Sequence, residues 1–264
     1  MGKLAARTLG VLVCLALLIS LGLNALMLKR YERMYYSVQA VRLDPTGQWE
    51  YGGPESQLPP PSPDKPRIVF FGDSRIFMWH PLPAVGHGEC VNRGISGDTT
   101  EQSLLRLERD VIALSPKIAV MEVGINDLKA IGVMPFREKM ITKACQENLR
   151  TMVDKLQAAG IHVVLLTIFP VGRIEWTRRP VWSNKTITAV DSTNALMKQW
   201  KGDHLTVVDC DKVLRSNGRM HPRYALDALH LNAEGYAALN ARLTPLLESL
   251  LSPSSKESAP DAVQ

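Results

Sequence analysis

Four short, almost uninterrupted apolar runs constrain what this chain can fold into: Ile68-Val69-Phe70-Phe71, Ile118–Val123, Ile161–Ile168 and Leu205–Val208. A strand with one wet face alternates apolar and polar residues, whereas continuous runs belong to strands covered on both faces. A weaker run lies near Cys90-Val91. Helical patterns separate these runs. Leu149, Met152, Val153 and Leu156 fall at i, i+3, i+4 and i+7, and Leu239, Leu243, Leu246, Leu247 and Leu250 form a comparable stripe at the end. Strand and helix alternate through five units, which predicts an α/β domain with a parallel sheet and helices on both faces. In such sheets the functional crevice lies beyond the carboxyl ends of the strands.

The N-terminus carries a different signal. From Thr8 to Leu28 no residue is charged and most are Leu, Val, Ile or Ala. A helix over these positions is roughly 31 Å long, the thickness of a bilayer core. Lys3 and Arg7 precede it and Lys29, Arg30 and Arg33 follow it, so charge bias sets no orientation. The run reads as an uncleaved membrane anchor over residues 1–28, with a cleaved signal peptide as the competing reading. Ser20-Leu21-Gly22 is the nearest small-x-small site, yet Leu26-Met27-Leu28 continues the apolar stretch past it. Residues 29–66 gather Gly52, Gly53, Pro54, Pro59, Pro60, Pro61, Pro63 and Pro66, the composition of an extended spacer. Residues 252–264 read as a disordered tail, which leaves 67–251 for the globular domain.

Composition narrows the function classes. With 45% hydrophobic and 22% charged residues the chain is neither disordered nor collagen-like. The net charge of +5 is scattered, without a basic run or aromatic-interleaved motif, so no nucleic-acid partner is expected. Cys90, Cys145 and Cys210 lack paired short spacings, and His80, His87, His162, His204 and His221 are not at metal-ligand spacing. No disulfide and no metal site is predicted.

Four segments stand just after predicted strand ends. Gly72-Asp73-Ser74-Arg75 follows the first strand and exposes a hydroxyl beside the next helix; alone it reads more readily as a plain turn with Ser74 as helix cap. Asn92 to Thr100 contains Gly94 and Gly97, and Thr99 with Gln102 has the spacing of a capping box. A free N–H at Gly97 would face developing negative charge, though loop punctuation explains the glycines too. Gly124-Ile125-Asn126-Asp127 follows the third strand, where Asn126 is either an oxyanion donor or an Asx-turn. Asp227-Ala228-Leu229-His230 precedes the final helix, with Asn232 as its cap; a spacing of three puts carboxylate and imidazole on one side of a helical turn, where the carboxylate can orient the imidazole, and a surface cap pair is the bland alternative.

Taken jointly and in order, these four blocks resemble the SGNH (GDSL-type) hydrolase superfamily, and the resemblance spans Arg67 to about Leu247. It implies a three-layer α/β/α flavodoxin-like fold with five parallel strands, preceded here by one N-terminal transmembrane helix. Carried over by position, it implies Ser74 as nucleophile, His230 as its base and Asp227 as the group orienting His230. The oxyanion hole would be the N–H groups of Ser74 and Gly97 with the Asn126 side chain, and no metal or organic cofactor is implied. Arg75 departs from the leucine that often follows Gly-Asp-Ser, a difference expected to bear on subfamily and substrate. The implied activity is serine esterase chemistry on a carboxylic ester through an acyl-enzyme. O-acyl transfer to a polysaccharide, lysophospholipase or thioesterase activity, and a non-catalytic envelope scaffold are the rivals.

The substrate would be a small-molecule, lipid or carbohydrate ester. The membrane is contacted through the N-terminal helix with the domain extracytoplasmic, or the chain is secreted after cleavage. Arg173, Trp176, Arg178, Arg179 and Trp182 lie in a long loop after the fourth strand, on the crevice side, where aromatics could stack on a sugar or acyl group and arginines hold an anionic one; Arg173 and Trp176 are the residues expected to contact substrate. A solvated lid is the alternative. Glu122 could face the crevice as an extra carboxylate but is read as a residue at a polar margin, His162 as a satisfied core imidazole, and Asp209 and Asp211 as acids without a histidine three residues on.

Overall fold

The computed structural model describes residues 2–53 and 56–252, and the chain divides into two compact units, one ending at Thr46 and the other beginning at Gly47. Of the tail predicted from residue 252, all but Ser252 lies outside the described residues.

The first unit is one helix, α1 (Gly2–Leu43), with none of its residues buried. It is long and apolar enough to cross a membrane. The helix does not stop at Leu28, because neither Gly nor Pro interrupts the chain between Leu23 and Asp44. The extended spacer predicted over 29–66 is therefore not one element. Its first part continues α1. Its last part, from a short helix α2 (Gln48–Tyr51) onward, belongs to the second unit. There the Tyr51 hydroxyl donates to the Gly94 carbonyl at 2.9 Å, and the Arg93 guanidinium lies 4.6 Å over the Tyr51 ring. Arg67 donates to the Pro59 carbonyl at 2.7 Å. Proline favours extended backbone, but carbonyls of such backbone remain free to accept, and buried arginines occupy them.

In the second unit β1 (Arg67–Gly72), β2 (Glu89–Gly94), β3 (Ile118–Glu122), β4 (His162–Leu166) and β5 (Leu205–Val208) form one sheet in the order β2-β1-β3-β4-β5, and every pairing is parallel. Helices α3 (Ser74–Phe77), α4 (Thr100–Asp110), α5 (Ile125–Lys129), α6 (Glu138–Ala158), α7 (Asn184–Met197), α8 (Asp211–Leu214) and α9 (Ala233–Leu251) lie between and after the strands.

The period-two geometry of a strand explains the uninterrupted apolar runs. Val69, Phe71, Ala119 and Met121 point into one core with Leu107, Leu149, Met152 and Val190 of α4, α6 and α7. Ile68, Phe70, Ile118 and Val120 point into the other with Leu239, Leu243 and Leu247 of α9. Each fully buried leucine of that stripe contributes about 1.5–3 kcal/mol. Trp79 fills the second core between Phe70, Phe169 and Tyr236, and its indole N–H donates to Asn240 at 2.8 Å. The three-layer arrangement matches the predicted fold class.

The strand order reverses direction around β1: the chain goes outward to β2, then crosses back to β3. Loops leaving the carboxyl ends of such neighbours diverge and open a crevice. The ends of β1 and β3 are in register, Gly72 opposite Glu122, which brings the Gly-Asp-Ser and Gly-Ile-Asn-Asp segments side by side.

Candidate active site

Asp73 leaves β1 in extended backbone and caps α3, its carboxylate accepting the Arg75 N–H at 2.9 Å. The cap is thus Asp73, which frees Ser74 to stand at the first helical position with its hydroxyl half-exposed. Gly72 is needed there, since its φ of +156° and its contact with the Glu122 carbonyl leave no room for a Cβ.

The Ser74 Oγ lies 2.9 Å from His230 Nε2, although 156 positions separate them in sequence. On the far side of the ring, His230 Nδ1 lies 3.1 Å and 3.0 Å from the two Asp227 carboxylate oxygens. Asp227 sits in a bend and His230 directly after it, rather than in a helical turn, and Asp227 Oδ1 also accepts the N–H groups of Leu229 (2.7 Å) and His230 (2.8 Å). Burial pushes the Asp227 carboxyl up, but those two backbone donors and then the imidazole outweigh it and hold it below its ordinary value. Asn232 caps α9 immediately afterwards by accepting the Gly235 N–H at 3.0 Å.

The second block is shaped to leave a donor open. Gly97, at φ +89°, is exposed, and among the described residues neither its N–H nor that of Ser74 donates to a protein acceptor. Thr99 and Gln102 form the predicted capping box of α4. Arg106 of α4 then fastens the block from below: Nε donates to Asp98 Oδ2 at 2.6 Å, Nη1 to Asp110 at 3.0 Å, and Nη2 to the Gly72 carbonyl at 2.8 Å. The third block grips it from the side. Asn126, nearly buried, donates from Nδ2 to the Asp98 carbonyl at 2.8 Å, while the Asp127 carboxylate accepts the Thr100 hydroxyl (2.6 Å) and N–H (2.9 Å). Burial raises the carboxyls of Asp98 and Asp127, with Arg106 and Thr100 respectively pulling them back.

Beneath the serine lies a charged pair that sequence reasoning placed wrongly. Glu122 is not at a polar margin; it is fully buried, and Oε1 accepts Arg75 Nη1 at 3.0 Å and the Phe169 N–H at 3.3 Å. Arg75 is equally buried, and its guanidinium is not presented to solvent. Its Nε donates to the Leu229 carbonyl at 3.0 Å, one residue before His230, and its own carbonyl accepts the Tyr236 hydroxyl at 2.8 Å. One guanidinium therefore ties the nucleophile turn, the end of β3 and the histidine loop together. Burial raises the Glu122 carboxyl against the opposing pull of Arg75, and burial with the Glu122 charge raises Asp73 well above its ordinary value. An arginine directly after the Gly-Asp-Ser turn and a glutamate ending an apolar strand were the available signals; a partner for each was not.

In the loop after β4, Arg178 rather than Arg173 or Trp176 reaches the triad. Among the described residues no hydrogen bond or ion pair joins Arg173 or Trp176 to Ser74, Asp227 or His230, and Trp176 is 78% exposed. Arg178 of the same loop reaches Asp227 Oδ2 at 3.5 Å. Lys129 donates to Asn126 Oδ1 at 2.5 Å, another contact absent from the sequence reading. Away from the site, His162 is half-buried against the Thr206 hydroxyl at 2.9 Å, Asp209 pairs with Lys198 and Asp211 with Arg215. Among the described residues no group of three or more His, Cys, Asp or Glu side chains converges as metal ligands would.

Chemically, the arrangement offers a hydroxyl bonded to an imidazole, a carboxylate on the other ring nitrogen, and unsatisfied N–H donors nearby, the parts required for acyl transfer. Several known proteins are similar to this chain in sequence or fold. The subunit alpha1 of human platelet-activating factor acetylhydrolase IB is 28% identical over 210 residues, which cover 75% of this chain and 83% of that one. An arylesterase of Vibrio mimicus is 34% identical over 91 residues, 33% of this chain; the match spans only 42% of the arylesterase. The solved structure of a GDSL-like lipase from Bacteroides thetaiotaomicron superposes with a TM-score of 0.61 at 24% identity, covering 77% of this chain and 98% of its own. The model of the GDSL-like Lipase/Acylhydrolase family matches residues 70–238, the sheet and all four blocks, and the chain belongs to that family.

Proposed function

We propose that the chain is a serine ester hydrolase acting on a carboxylic ester. Ser74 Oγ attacks the ester carbonyl while His230 Nε2 takes its proton, and the carbonyl oxygen becomes an oxyanion held by the N–H groups of Ser74 and Gly97 and by Asn126 Nδ2. Collapse expels the alcohol, which receives the proton from His230, and leaves an acyl-enzyme on Ser74. Water deprotonated by His230 then releases the carboxylic acid and restores the hydroxyl. Asp227 holds the imidazole with Nδ1 protonated and Nε2 facing the serine, and it stabilises the imidazolium.

The observation that carries this reading is the 2.9 Å approach of Ser74 to His230 with Asp227 behind the ring. The relatives named for an arylesterase and an acetylhydrolase support ester hydrolysis as the reaction. The natural substrate in this reading is a small-molecule, lipid or carbohydrate ester at an envelope or membrane surface. Helix α1 serves as the anchor, and the hydrolase domain faces the extracytoplasmic side. Removing the nucleophile tests the chemistry: Ser74→Ala abolishes hydrolysis of chromogenic esters from acetate to octanoate while retaining the parent unfolding transition. Undiminished turnover by that variant sinks the proposal. An acceptor sugar added to the same assay separates hydrolysis from acyl transfer, since transfer yields an acylated sugar in place of free acid.

A further inference from the structure

An amide side chain that donates to an oxyanion has to present nitrogen, not oxygen, to the substrate, and the two ends differ little in shape. In this chain both alternatives are decided by neighbours that have no choice. Lys129 Nζ, a donor only, sits 2.5 Å from Asn126 Oδ1, and the Asp98 carbonyl, an acceptor only, sits 2.8 Å from Nδ2. Flipping the amide would set an N–H against an ammonium and an oxygen against a carbonyl. One Nδ2 hydrogen is used by Asp98, and the second remains for the substrate.

The ammonium does more than pin the amide. Among the described residues no ion pair joins Lys129 to a carboxylate; Asp73 and Asp227 attract its charge only through space, and the cationic Arg75 and Arg178 oppose them. A hydrogen bond from a cation to an amide oxygen draws electron density away from the nitrogen, making the remaining N–H a stronger donor, and hydrogen bonds to charged groups exceed neutral ones in strength. Lys129 is half-buried, and burial lowers its affinity for a proton while Asp73 opposes that shift. A charge held at such cost in a poorly solvated place acts over short range more strongly than it would in water.

We infer that Lys129 is a positioning residue of the oxyanion site, orienting and polarising the Asn126 amide so that Nδ2 stabilises the tetrahedral oxygen. This rests on the oxyanion role of Asn126 proposed above. The test uses the full-length chain in detergent with p-nitrophenyl acetate and the variants Lys129→Met, Lys129→Arg, Asn126→Ala, Lys129→Met with Asn126→Ala, and Ser74→Ala. Loss of an oxyanion donor costs about 10²–10³ in turnover, and loss of its polarising partner is expected to cost about tenfold or more of that. Lys129→Met therefore lowers kcat with KM held within about twofold, and Lys129→Arg recovers most of the loss. Because the lysine acts through the amide, the double variant is no slower than Asn126→Ala alone.

Parent kcat in Lys129→Met, or losses that multiply in the double variant, overturns the inference. Activity in Ser74→Ala would instead overturn the hydrolase reading itself. Parent turnover in Asn126→Ala, with Ser74→Ala inactive, leaves the nucleophile standing and removes the oxyanion role on which Lys129 depends.

Discussion

Replacing Arg75 with leucine, the residue common at this position in the family pattern, isolates the energetic role of the buried pair. The substitution removes three things at once: the bond to Leu229, the ion pair with Glu122, and the guanidinium packed 5.3 Å from the Phe169 ring centroid. What it leaves is worse than what it takes. Glu122 would remain at 0% exposure with only the 3.3 Å contact from the Phe169 N–H. Breaking a buried pair by deleting one partner costs about 3–5 kcal/mol, because the survivor is an uncompensated buried charge.

Glu122 escapes part of that penalty by taking up a proton, so the cost depends on pH. Its folded pKa is already raised by burial in the parent and rises further without Arg75. A carboxyl whose folded pKa is raised stabilises the fold below its unfolded pKa, and that stabilisation is lost as pH rises through the folded pKa. Below both folded values the parent and the variant each carry a neutral Glu122, and the difference is smallest. It grows as pH climbs from the parent's folded pKa to the variant's. Urea unfolding in detergent, followed through the buried Trp79, therefore shows a larger loss at pH 8 than at pH 5. Adding Glu122→Gln to Arg75→Leu restores a large part of the stability at pH 8. A loss under about 1 kcal/mol at both pH values, or no recovery in the double variant, would refute the argument, since a well-solvated pair behaves that way.

Other outcomes follow from the same geometry. Asp227→Asn keeps an acceptor for the Leu229 and His230 N–H groups but turns the wrong tautomer toward the serine, so kcat falls by about 10⁴ in a steady-state assay with the fold retained. Asp227 has a depressed folded pKa, and the stability it contributes above the unfolded carboxyl value is lost as pH falls; the stability gap between parent and Asp227→Asn accordingly narrows in acid unfolding titrations. Gly94→Ala forces a Cβ into the backbone of Phe77, and a thermal melt reads a marked loss of stability even though Gly94 carries no chemistry. Alanine at Arg178 changes kcat more than alanine at Arg173 or Trp176, because Arg178 alone of the three reaches Asp227; equal effects in a parallel kinetic comparison would count against that ranking.

The central strands β1, β3 and β4 were legible because each is covered on both faces, a demand written locally as apolar residues at consecutive positions; the edge strand β2, only partly buried, gave the weaker signal near Cys90-Val91. The capping box at Thr99 and the cap at Asn232 were legible for a similar reason: the donor and acceptor lie within a single turn of chain. Glu122 misled because its neighbours in sequence say nothing about Arg75, which belongs to a different strand's end. Lys129 was missed on the same grounds, and Arg178, read only as a loop residue that could hold an anionic group, gave no sign of its contact with Asp227. The stretch from 29 to 66 departs from an extended spacer in both halves, once because helix propensity outlasted the apolar run, and once because the buried Arg67 donates to a carbonyl of the extended backbone.

Local chemistry alone thus decided the sheet, its flanking helices, the apolar first helix and the four polar segments at the strand ends, since those depend on spacing along one stretch of chain. Folding decided which of the charged groups would share a dielectric and a bond. The joining of Arg75 to Glu122 and to Leu229, and the turning of the Asn126 amide by Lys129 and Asp98, are agreements between side chains from different elements. Hydrogen bonds and buried charges act over a few ångströms of space, so their partners are settled only when the chain has brought distant residues together.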